Sequence, residues 1–351
     1  MRFRNPAGHA GLLHSLLSLV NSLAGFLESR IALFANESKT ALVQVLDFVD
    51  NGPRDSMAQG AVASALEQAV WDLAGRHAGV PVASLLNGDG ARGIALYANI
   101  NRRTVDRSPA GFVASATAAA TAGFRVFKVA PFDDVTPQTV DTQEGRARIQ
   151  QGMDRVAAVR EAIGPDRELF VDCHWRFTPV AARQAIDALE QLHVVWFECP
   201  LPERADTIEE IAGLRRYANE RGMRLAGLEE LTSPAAFAPW LAAGAYDVVM
   251  PDVKYCGGIA DLLAIGSDAA RHRVACAPHN PTGPVCHAAS LAACSALDAP
   301  VLLEHQWDET PWFFAIGGPA MPRPRRGESE VPRAPGLGVA LDFTGLEVRI
   351  A

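Results

Sequence analysis

The sequence predicts an α/β fold built on a closed, TIM-like barrel of eight parallel strands. From about residue 93, short β-branched or apolar runs alternate with helical stretches, which is the pattern of repeated strand–helix units. Eight strands separated by helices indicate a closed parallel barrel. The predicted strands cover residues 94–99, 125–130, 169–174, 194–198, 224–229, 247–252, 274–279 and 301–304.

Around this barrel we expect two further segments. Residues 1–92 are mostly helical and form an N-terminal cap segment, whose last helix covers 63–79. Residues 93–305 form the barrel. Residues 306–351 are rich in Pro and Gly, end in a strand-like run at 341–350, and are expected to pack back on the cap segment.

Composition limits the possible functions. With 351 residues, 49% hydrophobic and 21% charged, the chain is typical of a soluble globular protein. A net charge of −8 argues against a large basic face for nucleic acid. An anionic substrate remains compatible with this charge, because a bound metal ion can invert the local field.

Cysteine usage and the N-terminus indicate a cytoplasmic protein that does not associate with a membrane. The six cysteines are scattered without a CxxC pair, so we expect reduced thiols. Arg2 and Arg4 precede an apolar stretch at 12–27, which superficially resembles an export signal. Its apolar residues recur at helical spacing and no A-x-A site follows, so we expect an amphipathic packing helix.

Ionisable residues end most of the predicted strands, and a barrel directs those ends to one mouth, where active sites are built. One acid there would mean little, since strands often end in an Asp turn or a helix cap. A series at successive strand ends instead predicts a catalytic site. Its members are Asp172, His174, Glu198, Glu229, Asp252, His279 and Glu304.

Three of these acids predict a metal site. Asp172, Glu198 and Glu229 come from three consecutive strands and would repel one another unless a cation lay between them. Oxygen ligands without a thiolate favour a hard ion, so we expect one Mg²⁺ in the site. The alternative is three unrelated surface or capping acids.

Two other strands predict a general base. Asp252 and His279 end neighbouring strands, and a carboxylate bonded to an imidazole fixes its tautomer and raises its basicity. The alternative is that His279 only neighbours a helix cap before Pro281. Glu304, on the last strand, is expected to stay protonated and donate to a developing enolate oxygen. Its alternative is a buried acid paired with an arginine.

The motifs resemble the mandelate racemase-like branch of the enolase superfamily over most of the chain from residue 63 onward. Each motif is weakly specific alone, but their order and spacing are strongly specific. They are ALEQAVWDLAGRHAGVPVASLLNG at 65–88, FVDCHWRF at 170–177, WFECPLP at 196–202, AGLEEL at 226–231, MPDVKYCGGI at 250–259, APHNPTGP at 277–284, LLEH at 302–305 and PGLGVALD at 335–342.

The resemblance implies a (β/α)₇β barrel and an α+β cap completed by the C-terminal tail, with Mg²⁺ on the three carboxylates. It favours Glu229 over Glu230 as the third ligand, because Glu229 keeps the family's distance to the next segment. Asp252 stands where the muconate-lactonizing branch has a lysine, so this chain resembles the members that use an Asp–His pair.

Three departures from the family pattern bear on the chemistry. The usual K-x-K pair on the second strand reads Lys128-Val129-Ala130, so the second lysine base is missing. Lys128 either binds the substrate carboxylate or is a mouth charge without a special role. Cys199 replaces an acid that often follows the second metal ligand. The first 60 residues are expected to be helical in place of the family's cap strands and closing loop, so we expect a truncated or degenerate cap.

The form D-x-H-x-R at 172–176 resembles that of acid-sugar dehydratases, in which the histidine handles the leaving hydroxyl. We therefore predict His174 as the acid, on the same face as Asp172 by strand alternation, although a structural histidine is the alternative. Further substrate contacts are predicted for Asn99, Arg176 and Asn280.

These observations predict a lyase that dehydrates an acid sugar to a 2-keto-3-deoxy acid with Mg²⁺. An epimerase, racemase or lactone cycloisomerase would use the same site. A non-catalytic protein that kept the barrel but lost its closing lid is the alternative of a different class. The expected partner is a small carboxylate substrate, without nucleic acid or membrane, and we expect a homo-oligomer.

Overall fold

A computed structural model describes residues 47, 49, 52, 54–299 and 301–342. The amphipathic helix predicted at 12–27 and most of the strand predicted at 341–350 lie outside these residues. Within the described part of the chain, no helix is long and apolar enough to cross a bilayer. The division of the chain at residues 92 and 305 stays a prediction.

The eight predicted strands are present and parallel. They occur in the order β7-β6-β5-β4-β3-β2-β1-β8, so consecutive strands are neighbours. Most end earlier than predicted, because the chain turns out of the sheet near each polar residue. Their bounds are β1 Ile94–Asn99, β2 Val126–Val129, β3 Glu168–Asp172, β4 Trp196–Glu198, β5 Arg224–Gly227, β6 Val248–Val249, β7 Ala275–Cys276 and β8 Leu302–Gln306.

The sheet curls into a nearly closed barrel whose two end strands are β7 and β8. A long hydrogen bond spans this seam, from the Glu304 amide to the Pro278 carbonyl at 3.4 Å. A short strand that the sequence did not predict, β9 at Glu328–Ser329, pairs antiparallel with the start of β1. The TIM-like barrel predicted from the sequence is therefore confirmed.

Helices cover the outside of the barrel. Several begin at a Ser or Thr whose side chain accepts from a backbone amide three residues on, such as Ser108 and Thr178, each followed by proline. The helices are α1 Met57–Ala78, α2 Val82–Leu85, α3 Pro109–Thr121, α4 Gln143–Ile163, α5 Pro179–Glu190, α6 Ile208–Asn219, α7 Pro234–Ala243, α8 Ile259–Arg271, α9 Pro284–Ala296 and α10 Trp312–Gly317.

The barrel interior is a packed floor of side chains one layer below the mouth. Phe170 and Trp196 stack at 4.5 Å between ring centroids, and Tyr97 packs edge-on against Phe170 at 5.5 Å. Strand side chains alternate between inside and outside, so the residue two positions after each floor residue also points inward. The floor therefore aligns Asp172 above Phe170 and Glu198 above Trp196.

Helix α1 holds the loop that follows β6. Ser64 Oγ accepts from the Gly257 amide at 3.0 Å, and Gln68 donates to the Val253 carbonyl at 3.2 Å. Buried Glu67 accepts from the amides of Ile259 and Ala260, at 2.9 and 3.0 Å, at the start of α8. This clamp fixes the chain that directly follows Asp252.

The C-terminal tail contacts the other side of α1. The Leu337 amide donates to Asp72 Oδ1 at 2.8 Å, and Arg76 donates to the Val339 carbonyl at 2.8 Å. Helix α1 therefore links the barrel loops to the tail.

Candidate active site

The mouth of the barrel holds an Asp–His pair with normal hydrogen-bond geometry. His279 Nδ1 lies 2.9 Å from Asp252 Oδ2, and the Lys254 amide donates to Asp252 Oδ1 at 2.8 Å. Since a carboxylate only accepts, we assign the Nδ1 proton to this bond, which leaves Nε2 to face the mouth. That nitrogen lies 3.5 Å from Glu229 Oε2 and 3.7 Å from Glu304 Oε2.

The charges around His279 favour its protonated form. Burial lowers its pKa, but the carboxylates of Glu229 and Glu304 and the hydrogen bond to Asp252 outweigh burial and raise the pKa to about 10. The proton affinity of this imidazole therefore depends on the acids it faces, and a cation near those acids would reduce it.

Lys128 places a buried positive charge among the acids of the barrel mouth. Its ammonium contacts Glu198 Oε1, lies 2.9 Å from Glu304 Oε1, and stands 3.7 Å from Asp172 Oδ2. Burial alone would lower the pKa of Lys128, but Glu198 and Glu304 raise it well above the usual value. Lys128 is only 1% exposed, so these acids are its neutralising partners.

The three predicted metal ligands are all buried, but they differ in their partners. Trp196 donates its indole N–H to Glu198 Oε2 at 2.8 Å. Glu229 Oε2 is buried without a hydrogen-bond partner. Burial raises the pKa of both Glu198 and Glu229, whereas His174 and Lys128 outweigh burial and lower the pKa of Asp172.

The donor chemistry of this set fits a hard divalent cation. It offers carboxylate oxygens on adjacent strands without a thiolate among them, and the partnerless oxygen of Glu229 is available for a ligand. In residues 54–299 and 301–342, however, no three His, Cys, Asp or Glu side chains already converge on one point as a metal-holding group. Lys128 occupies the space between Asp172 and Glu198 instead.

His174 meets Asp172, but by a route that strand alternation does not describe. β3 ends at Asp172, and His174 lies in a left-handed turn with φ of 46°. Its Nε2 is 3.0 Å from Asp172 Oδ2, while its backbone amide donates to Asp172 Oδ1 at 3.0 Å. Asp172 raises the pKa of His174, which is partly exposed to the mouth.

Glu304 is held as an acceptor. Its Oε1 accepts from Asn99 Nδ2 at 2.7 Å, and its Oε2 accepts from the Asn280 amide at 2.9 Å. Burial raises the pKa of Glu304, but Lys128 and His279 outweigh it and lower the pKa to about 2. The ionised form is favoured here, whereas the predicted donor role requires the protonated form.

The predicted substrate-contact side chains have partners within the protein. Asn99 and Asn280 both hydrogen-bond to Glu304, Asn280 also through its side chain to the Glu304 carbonyl at 2.9 Å. Arg176 donates to the carbonyls of Asp133 and Val135, at 2.5 and 2.8 Å. Arg176 therefore ties down the loop after β2 rather than reaching the barrel axis.

One residue of the site was missed from the sequence. Trp196 stands two residues before Glu198 on the same face of β4 and supplies the hydrogen bond to its carboxylate. The W-x-E spacing is the signal that could have found it, since strand residues two apart share a face.

Comparison with known proteins identifies the family. The profile of the family described as Enolase C-terminal domain-like matches residues 111–345. The chain is 30% identical over 286 residues to a D-gluconate dehydratase of Thermoproteus tenax, which covers 81% of this chain and 55% of that protein. It is 30% identical over 297 residues to a D-galactonate dehydratase of Ralstonia pickettii, which covers 79% of this chain and 70% of that protein.

A solved structure supports the same fold. A putative dehydratase from Salmonella enterica superposes with a TM-score of 0.75 at 23% identity, over 87% of this chain and 80% of that one. The chain thus spans little more than half the length of the gluconate dehydratase and most of the galactonate dehydratase. The family match over residues 111–345 and the parallel barrel show that this chain belongs to the Enolase C-terminal domain-like family of the enolase superfamily.

Proposed function

We propose that this chain removes the proton alpha to a carboxylate and dehydrates an acid sugar to a 2-keto-3-deoxy acid, with Mg²⁺. The observation that carries the proposal is the Asp252–His279 pair, whose free Nε2 faces a group of buried carboxylates in the barrel mouth. The names of the gluconate and galactonate dehydratases that it resembles support the choice of reaction and substrate class.

We assign His279 as the base. Asp252 holds Nδ1–H. A cation beside Glu229 and Glu304 would lower the raised pKa of His279, and the neutral ring then accepts the alpha proton at Nε2 without a change of tautomer. On the second strand, Ala130 stands where a second base would lie in relatives with a K-x-K pair, and it is buried. A single base on one side of the substrate suits dehydration better than racemisation by two opposed bases.

We assign Asp172, Glu198 and Glu229 as the residues that would hold Mg²⁺. When bound, the ion supplies charge stabilisation to the substrate carboxylate as the enediolate forms. Lys128 adds a second positive charge close to the same carboxylates. Glu304, held by Asn99 and Asn280, keeps Lys128 in place from β8, the strand on the other side of β1.

We assign His174 as the acid that protonates the departing beta-hydroxyl. Asp172 raises its pKa, which favours the protonated form that an acid requires. The hydroxyl leaves as water, the alpha proton stays on His279, and the resulting enol tautomerises to the 2-keto product.

The test is a library of acid sugars incubated with the protein and Mg²⁺ and assayed for 2-keto product. At least one acid sugar should give product, EDTA should abolish it, and added Mg²⁺ should restore it. Exchange of the alpha proton in D₂O without any 2-keto product would identify an epimerase or cycloisomerase instead. Metal binding without exchange of any substrate would identify a non-catalytic protein.

A further inference from the structure

Two tight turns aim the predicted metal ligands into the mouth. After Asp172, both His174 and Trp175 adopt left-handed backbone angles, with φ of 46° and 56°. Before Glu229, Leu228 does the same with φ of 74°. Bulky residues rarely adopt this conformation, and such turns persist only where the surroundings hold them in place.

A single carboxylate contacts both turns. Glu203 lies on the loop after β4, five residues past Glu198, and its Oε1 accepts from the Leu228 amide at 2.8 Å. The indole of Trp175, which can only donate, also lies within reach of the Glu203 carboxylate, and its side chain helps to lower the pKa of that carboxyl. Glu203 therefore joins the loops that follow β3, β4 and β5, the three strands that carry the predicted metal ligands.

The local sequence accommodates this close approach. A side chain on Gly227 would place its Cβ 2.3 Å from Glu203 Oε1, so glycine leaves room for the carboxylate at the end of β5. The Tyr246 hydroxyl, two residues before β6, donates to the same oxygen, and the two atoms are 2.7 Å apart. Glu203 thus has one partner at each left-handed turn and a third partner, Tyr246, that lies on neither turn.

We propose that Glu203 is a positioning residue of the metal site, where one carboxylate holds the two turns that orient Asp172 and Glu229. Within the described part of the chain, Glu203 makes no hydrogen bond to the side chain of Asp172, Glu198 or Glu229. The inference rests on the proposed function only in taking Asp172, Glu198 and Glu229 as the metal ligands. Loss of Glu203 should loosen two of these three ligands together.

The test measures Mg²⁺ binding alone, by titration calorimetry, with no substrate present. Glu203→Gln keeps the size and one acceptor oxygen but gives up the second, and Trp175→Phe removes the indole donor without a change of charge. We expect each to weaken Mg²⁺ binding about 10- to 100-fold, as for other groups that orient metal ligands. Because the two changes break the same bond, the double variant should lose much less than the product of the two losses.

Tyr246→Phe is the matched control, since it removes a donor to Glu203 that does not reach either turn. It should lower the melting temperature in EDTA while Mg²⁺ affinity stays within about twofold of wild type. Glu203→Gln and Trp175→Phe variants that fold and bind Mg²⁺ like wild type would overturn the proposal and leave the dehydratase assignment intact. Wild type that binds Mg²⁺ but forms no 2-keto product would overturn only the dehydratase assignment. Wild type that binds no Mg²⁺ would overturn both.

Discussion

The Asp252–His279 pair and the carboxylates of Asp172, Glu198 and Glu229 share one barrel mouth. They differ in how fully protein atoms satisfy their hydrogen bonds and charges. The pair has a 2.9 Å hydrogen bond and a clamp from helix α1 behind its loop. Among the carboxylates, Glu229 keeps a buried oxygen without a hydrogen-bond partner, and the charge of Glu198 is met by Lys128.

The physical reason lies in the charges. An imidazole and a carboxylate satisfy each other, so protein atoms alone can hold them in a working geometry. Several buried carboxylates repel one another, and a lysine from β2 compensates only part of that repulsion. We infer that protein atoms alone hold the base in position. The three carboxylates need a bound cation to balance their charge.

The largest effect is expected from variants of the Asp252–His279 pair. His279→Asn should reduce exchange of the alpha proton in D₂O by about 10²- to 10⁴-fold, because among the described residues no other imidazole hydrogen-bonds to Asp252. Asp252→Asn should cause a smaller loss by misorienting the ring. Exchange is followed by proton NMR, with Mg²⁺ affinity as the control for folding. Wild-type exchange in His279→Asn would shift the base to Lys128 or His174.

His174 lies beside the carboxylate of Asp172 and not beside the Asp252–His279 pair. Replacing it should therefore separate loss of the beta-hydroxyl from exchange of the alpha proton. A beta-hydroxyl leaves poorly as hydroxide, so His174→Ala should lower 2-keto product formation by about 10²-fold or more while exchange at the alpha carbon continues. Product and exchange are measured on the same substrate. Equal loss of both would mean that His174 abstracts the proton or supports Asp172, and undiminished dehydration would remove it as the acid.

Lys128 tests whether the carboxylates need a cation. Lys128→Met leaves Glu198 and Glu304 buried without their ammonium partner, which should cost about 3–5 kcal/mol of unfolding free energy in EDTA. Mg²⁺ should then stabilise the variant more than wild type, because the ammonium no longer competes for Glu198. Urea unfolding with and without Mg²⁺ measures both. An equal gain from Mg²⁺ in the two proteins would contradict the competition.

Glu67 tests the clamp behind the base. Burial raises its pKa from 4.5 to about 7, despite the amides of Ala260 and Ile259 that favour the ionised form. A raised folded pKa contributes stability that is fully present below the unfolded pKa and is lost as pH rises through the folded one. As pH rises from 4.5 to about 7, the unfolding free energy of wild type should therefore fall by on the order of 3 kcal/mol. The unfolding free energy of Glu67→Gln should not show this fall. Parallel stability curves from urea unfolding would contradict the shift.

The number and order of the strands were predictable, because hydrophobic runs that stop at a polar residue carry a strong signal. The eight runs and their order appear in the structure, and the family match over residues 111–345 covers the recognised motifs from residue 170 onward. The strand bounds were less predictable, since hydrogen bonding ends where the chain turns. β6 and β7, for example, each pair over only two residues.

The sequence did not predict which groups the side chains near the barrel mouth would contact. Arg176 was expected to contact substrate, yet its guanidinium meets the carbonyls of the loop after β2. Long, flexible side chains reach several partners, and only the packed loops decide which one is in range. The left-handed turn at His174 likewise replaced the simple alternation expected from its spacing to Asp172.

By itself, the sequence determined which residues can line one mouth, because strand periodicity and barrel geometry leave few alternatives for Asp172, Glu198, Asp252 and His279. Only the tertiary structure decided how their charges are shared. Lys128 lies between acids of three other strands, so its role depends on distances across the barrel axis. Coulomb energies vary with those distances and with burial, and neither is encoded in the spacing along a single strand.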